Sequence, residues 1–144
     1  MKENDFLKLE NQLCFPLYAA SRLVTKCYQP LLDEFGLTYP QYLVLLILWE
    51  TDTVSLKVIS EKLYLQSNTL TPLLKRMEDT GLINRTRSQE DERSIIISLT
   101  KKGNLLKLEA PKIQDLLKNN LGVTLEEAEQ LHGLLYKLIG HLSV

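Results

Sequence analysis

Gln66-Ser67-Asn68-Thr69-Leu70-Thr71-Pro72-Leu73-Leu74-Lys75-Arg76-Met77, followed by Ile83-Asn84-Arg85-Thr86-Arg87 and Ser94-Ile95-Ile96-Ile97-Ser98-Leu99, is the stretch that decides the fold. Leu70, Leu73, Leu74 and Met77 fall at i, i+3, i+4 and i+7, one buried face of a helix running from Ser67 to Thr80. The opposite face carries Ser67, Asn68, Thr69, Thr71 and Pro72, then Lys75 and Arg76. Small hydrogen-bonding groups followed by cations suit a helix whose N-terminal half enters a groove while its far end meets phosphate. An ordinary solvated face has the same composition, so the helix alone does not decide between the two.

The residues after the helix do decide. Gly81 is placed to end it, and Ile83 to Arg87 alternates as a half-exposed strand does, with Arg85 and Arg87 as its cations. The charged turn Ser88 to Arg93 leads into a β-branched return strand, Ser94 to Leu99. Helix, strand, charged turn and strand make a winged helix-turn-helix, in which the helix reads the major groove and Arg93, at the wing, is a candidate for a narrow minor groove.

The whole chain has 144 residues, 44% of them hydrophobic, and a net charge of −1, which is one globular domain with a real core rather than a generic polyanion binder. The charge is divided unevenly: residues 66–103 hold seven cations against five acids, a net of +2. Backbone contacts to nucleic acid must therefore come from a focused set of cations. No signal peptide is read at the N-terminus, and the longest apolar run, Tyr42 to Trp49, is far short of a bilayer span, so a cytoplasmic protein with no membrane partner is expected.

Upstream, Leu17, Ala20, Val24, Leu31 and Phe35 give a long helix, with Pro16 expected at its first position, a kink at Pro30 and a stop at Gly36. Thr38-Tyr39-Pro40 opens an all-round apolar helix to Trp49, a core residue, and Ser55 caps the positioning helix. Downstream, Thr100 to Asn120, interrupted at Pro111, and Thr124 to Leu142 read as two more helices. The second opens with the capping box Thr124-x-x-Glu127 and carries a stripe of Leu125, Ala128, Leu131, Leu135, Leu138 and Leu142. The fold class is thus mainly α with a small β-hairpin wing. Residues 37–103 form the DNA-binding unit, and residues 1–36 and 104–144 the N- and C-terminal helices. Those helices exceed what the reading unit needs, and dimerisation is the favoured use, with covering of the monomer as the simpler one. His132 and His141 lack a matching cluster, so no metal and no cofactor are expected.

Leu63-Tyr64-Leu65, Ser67, Thr69 through Glu78, Gly81-Leu82-Ile83, Arg85, Arg87, Asp91-Glu92-Arg93-Ser94, and Ser98-Leu99-Thr100 with Gly103 together resemble the MarR family of bacterial transcriptional regulators. Lys8 through Phe15 and Leu37 through Leu43 resemble its organic hydroperoxide resistance (OhrR) branch. The resemblance implies a homodimeric repressor on a pseudo-palindromic operator in double-stranded DNA, released when Cys14 is oxidised by an organic hydroperoxide. By similarity, Tyr28 and Tyr39 of the partner subunit would hydrogen-bond the sulfur, with Tyr18 lining the pocket. Ser67, Thr69, Thr71, Pro72 and Arg76 would face the major groove and Arg93 the minor groove, while Asp91 orients the wing.

A thiol at a helix N-terminus faces the positive end of the dipole, which favours the thiolate that attacks a peroxide. The sulfenic acid formed must be captured by a thiol. Cys27, thirteen residues away, lies about 20 Å along one helix, against roughly 7 Å for disulfide Cα atoms, so no intrachain bridge forms. With no C-terminal cysteine the chain resembles the one-cysteine type, which forms mixed disulfides with small thiols. Cys27 reads as a small buried hydrophobe, with an intersubunit Cys14–Cys27 bridge as the alternative. Two other functions stay open: a MarR-type repressor released by a small phenolic ligand with Cys14 structural, and, more distantly, a thiol peroxidase.

Gln66 and Asn68 stand where the peroxide-sensing relatives usually have Asp and Gly. Gln and Asn can pair with adenine, so an altered operator is expected. A binding selection comparing the wild type with Gln66→Asp/Asn68→Gly should show different base preferences, and identical ones would contradict this.

Overall fold

A computed structural model describes residues 4–143. The order of elements is α1 (Cys14–Glu34), α2 (Tyr39–Glu50), β1 (Val54–Ser55), α3 (Leu56–Leu63), α4 (Ser67–Asp79), β2 (Ile83–Arg87), β3 (Ile95–Leu99), α5 (Lys101–Leu105), α6 (Ala110–Asn120) and α7 (Leu125–Leu142), with short 3-10 turns before α1 and between α5 and α6. This is the mainly α, winged architecture expected. Two details differ at the level of single elements. The sheet has three antiparallel strands in the order β1-β3-β2, because Val54 and Ser55 pair with Ile97 and Ile96 beside the wing hairpin. A two-residue strand carries no alternation from which to read it. The helix expected from Thr100 to Asn120 tightens to a 3-10 turn at Leu106–Glu109, just before Pro111, whose ring crowds the preceding turn and which has no N–H to give it.

Local signals set the other boundaries. Thr38 accepts from the Gln41 N–H while the Gln41 side chain accepts from the Thr38 N–H, a full capping box that fixes the start of α2 and the placement of Tyr39. Ser55 caps α3, and Tyr64 ends it in the left-handed region at φ 54°. Gly81, at φ 79°, ends α4 with its N–H on the Glu78 carbonyl and the Leu82 N–H on that of Met77. α1 begins at Cys14, two residues earlier than Pro16 suggests, so Pro16 is the third helical residue. Its missing N–H costs nothing there, since first-turn N–H groups have no partner within the helix. The helix runs on through Pro30 without a break.

The core gathers Leu32 of α1, Tyr42, Val44, Leu45 and Leu48 of α2, Ile59 of α3, Leu70, Leu74 and Met77 of α4, Ile97 of β3 and Ile113 of α6, each almost completely buried. The reading helix is therefore seated on α2 and α3. By contrast, α7 buries none of its residues, and Leu125, Leu131, Leu134 and Leu142 are exposed along it. Phe6, Leu7, Leu9, Leu13, Leu17 and Leu23 are exposed at the other terminus. α7 and the N-terminal segment thus do not cover this protomer's core, whereas α1 and α6 contribute Leu32 and Ile113 to it. Among the described residues no single helix is long and apolar enough to cross a membrane.

Candidate functional site

The expected residues fall into two groups, one on α1 and α2 and the other on α4 and the wing. At the start of α1, Cys14 is exposed and is the first helical residue. Leu13 at the cap offers no side-chain acceptor, and no acidic residue lies in the first turn. The orphan N–H groups of that turn are left to whatever sits at the sulfur. Tyr18, one turn on, is exposed, with the Arg22 guanidinium carbon 5.2 Å above its ring centroid.

Tyr28 and Tyr39 are not near Cys14 in the same chain. Fourteen residues of unbroken helix separate Cys14 from Tyr28, about 21 Å at ~1.5 Å per residue. Tyr28 instead packs on Tyr39, ring centroids 4.8 Å apart. Both rings also touch Tyr42, at 6.0 and 6.4 Å. Burial, reinforced by mutual repulsion among the phenolates, holds the Tyr28 hydroxyl protonated well above the ordinary tyrosine range; burial raises Tyr39 and Tyr42 as well. Cys27 sits half-buried on α1 directly before Tyr28.

On the other side, Gln66, Ser67, Asn68, Thr69, Thr71, Pro72, Lys75 and Arg76 form one exposed face of α4. The Thr71 hydroxyl donates back to the Ser67 carbonyl at 2.8 Å, so its proton is already used and its methyl and lone pairs face outward. At the wing, Ser88 Oγ accepts from the N–H groups of Glu90 and Asp91, Asp91 Oδ1 accepts from the Arg93 N–H at 3.0 Å, and the Asp91 carbonyl accepts from Ser94. Arg87 donates to the Glu92 carbonyl at 3.3 Å. These bonds fix the tip and leave Arg93 exposed.

Arg85 departs from the expectation of a free cation. Glu78 Oε1 takes its Nε and Nη2, at 3.3 and 3.2 Å, and Glu78 Oε2 takes its backbone N–H at 3.0 Å. The pair braces α4 against β2, so most of its charge is answered inside the protein. Sequence reading missed this because helix and strand meet only in the fold. It also missed the junction behind α4. The carbonyls of Thr80, Gly81 and Leu82 accept from Lys102 Nζ, Thr100 Oγ1 and the Thr100 N–H, and Trp49 Nε1 donates to the Gly103 carbonyl at 3.0 Å. The signal available was the glycine alone: a Cβ on Gly103 would lie 2.2 Å from the Leu82 carbonyl oxygen. No group of three or more metal-ligating side chains occurs among the described residues.

Comparison with known proteins matches the family model "Transcriptional regulator SarA/Rot" to residues 26–109. The organic hydroperoxide resistance transcriptional regulator of Bacillus subtilis is 56% identical over 94% of this chain and 92% of that protein. AbfR of Staphylococcus epidermidis, solved in reduced form bound to DNA, is 40% identical with a TM-score of 0.77, covering 94% of this chain and 96% of that one. Overoxidised AbfR bound to DNA gives 40% and 0.79 over 99% of both chains.

The raised tyrosines make stability depend on alkaline pH. An unfolded tyrosine loses its proton near pH 10, whereas folded Tyr28 keeps its proton to higher pH. Stability is therefore intact below about pH 10 and falls as pH rises from there toward the folded value. Urea unfolding between about pH 9 and 11 should show this fall, and Tyr28→Phe, which keeps the ring, should make it shallower. An unchanged slope in Tyr28→Phe would contradict the assignment.

Proposed function

The chain belongs to the MarR family of bacterial transcriptional regulators, in its organic hydroperoxide resistance branch, and from that premise we propose that it is a homodimeric, thiol-switched repressor of the one-cysteine type. The observation that carries this reading is the separation of Cys14 from Tyr28 along α1. Neither Tyr28 nor Tyr39 is within reach of the sulfur in its own subunit, where Tyr18 lies one turn away, while the Tyr28–Tyr39 pair is built further along, with Tyr28 buried and Tyr39 half-buried. A two-fold dimer brings one to the other. The unpartnered apolar surfaces of α7 and of the N-terminal segment supply the interface.

The chemistry starts from the Cys14 thiolate, whose sulfur attacks the distal oxygen of an organic hydroperoxide. The O–O bond breaks, the alkoxide leaves and takes a proton to become the alcohol, and Cys14 becomes a sulfenic acid. A small thiol then displaces water from that sulfenic acid, giving a mixed disulfide. The tyrosine hydroxyls of the partner hydrogen-bond the reduced sulfur and must yield when it acquires a bulky substituent. The AbfR relative is recorded on DNA in its overoxidised form, so the steric bulk of a mixed disulfide, rather than added oxygen, is the expected releasing change.

On DNA, α4 enters the major groove with Gln66, Ser67, Asn68, Thr69, Thr71 and Pro72 toward bases. Arg76 faces the same groove, and Lys75 takes phosphate, with Arg87 at the wing strand. Arg93, held out by Asp91, enters the minor groove. Arg85 keeps α4 and the wing in fixed relation, through Glu78.

The test is DNA binding at fixed salt by the wild type and Cys14→Ser, with and without cumene hydroperoxide plus cysteine. The reading predicts release of the wild type only, with the cysteine adduct on Cys14 seen by mass. Retention of DNA by the fully adducted wild type would contradict it. Release by a phenolic ligand in Cys14→Ser, with no peroxide response in the wild type, would establish the ligand-released alternative.

A further inference from the structure

Tyr39, Tyr42 and Trp49 share one face of α2: at 3.6 residues per turn they fall within about 80° of arc, spread over about 15 Å of helix. The contacts along this face are continuous. Tyr28 and Tyr39 lie against Tyr42, which is 1% exposed. Tyr42 meets Trp49 edge-on with centroids 6.2 Å apart, within the range in which aromatic pairs interact. The Tyr42 hydroxyl accepts from Gln114 Nε2 at 3.2 Å, tying the same ring to α6. Trp49 then donates to the Gly103 carbonyl, and Gly103 is pressed so closely on Leu82 that no side chain fits between them. Leu82 is the last of the three residues between the end of α4 and the start of β2. A displacement of the tyrosine pair thus has a packed route to the base of both DNA-contacting elements. Close-packed interiors shift between discrete arrangements instead of absorbing such a push.

We propose that Trp49, driven through Tyr42, is the positioning residue that couples the partner's Cys14 to the reader: displacement of Tyr28 and Tyr39 moves α2, and the Trp49–Gly103 bond carries that movement to the α4–β2 junction. This rests on the thiol-switch reading above and names the internal path by which that switch acts. The coupling runs across the dimer, so that the cysteine of one subunit governs the reading helix of the other.

The experiment compares full-length wild type and Trp49→Phe on operator-bearing DNA, each reduced and each carrying a cysteine adduct on Cys14 verified by mass. The phenyl ring keeps the apolar contact with Tyr42 and removes the N–H. Adduct formation should weaken wild-type binding about thirtyfold, but Trp49→Phe less than about fivefold, with the two reduced proteins within about threefold of each other. Equal weakening in the two proteins overturns the proposal. A wild-type adduct that stays on DNA contradicts the thiol switch itself, a different result. Because Trp49 is the one tryptophan of the chain, its emission gives a second readout that needs no variant. Adduct formation in the wild type should change it, and an unchanged spectrum overturns the proposal even where Trp49→Phe fails to fold.

Discussion

An α-helix cannot bring its own ends together, and α1 is twenty-one residues long. That constraint governs the rest of the molecule. It keeps Cys14 away from the Tyr28–Tyr39 pair of its own subunit, with Tyr18 one turn along the same helix. It places Tyr28 against Tyr39 and Tyr42, so that on the proposed reading each protomer holds one half of a thiol site at the start of α1 and the other half fourteen residues on. In that reading, two copies related by a two-fold axis complete both halves at once. The exposed leucines of α7 and of the N-terminal segment fit the same arrangement, since a fully buried leucine contributes about 1.5–3 kcal/mol and none of these is buried in the single protomer.

The reading unit, by contrast, is complete within one chain. α4 is anchored on its apolar face by Leu70, Leu74 and Met77, tied to β2 by Glu78 and Arg85, and held at its C-terminal end by Thr100 and Lys102. A unit so braced moves as a body. Regulation is therefore a question of where the two bodies stand relative to each other, because two half-sites on DNA fix the spacing and orientation that both readers must satisfy.

Much of this was legible from residues alone, for reasons that can be named. The period of Leu70, Leu73, Leu74 and Met77, the glycine at 81 and the β-branched run to Leu99 are local signals, and the structure has helix, stop and strand at those places. The capping box at Thr124 likewise depends on residues three apart, and Thr38, read as the opening of α2, proves to close a second one with Gln41. Features that could not be read depend on chain segments meeting in space. Glu78 and Arg85 are both ordinary surface charges in sequence, and only the packing of α4 on β2 makes them a pair. Trp49 reads as core, yet its indole N–H answers a carbonyl fifty-four residues away. β1 is too short for any pattern. The residues of the thiol site were named through family resemblance. Spacing shows only that Cys14 and Tyr28 cannot meet within one subunit.

The distance between the two reading helices in the dimer tests the thiol switch most directly. Spin labels placed at residue 79, at the exposed end of α4, by chemistry that spares cysteine would report it in solution. In the reduced protein the readers should stand in register with half-sites one helical turn apart, about 34 Å centre to centre. Conversion of Cys14 to its cysteine mixed disulfide should shift that distance distribution to a new, resolved maximum. An identical distribution in both states, with the adduct confirmed on every chain, would contradict a switch that works by moving the readers.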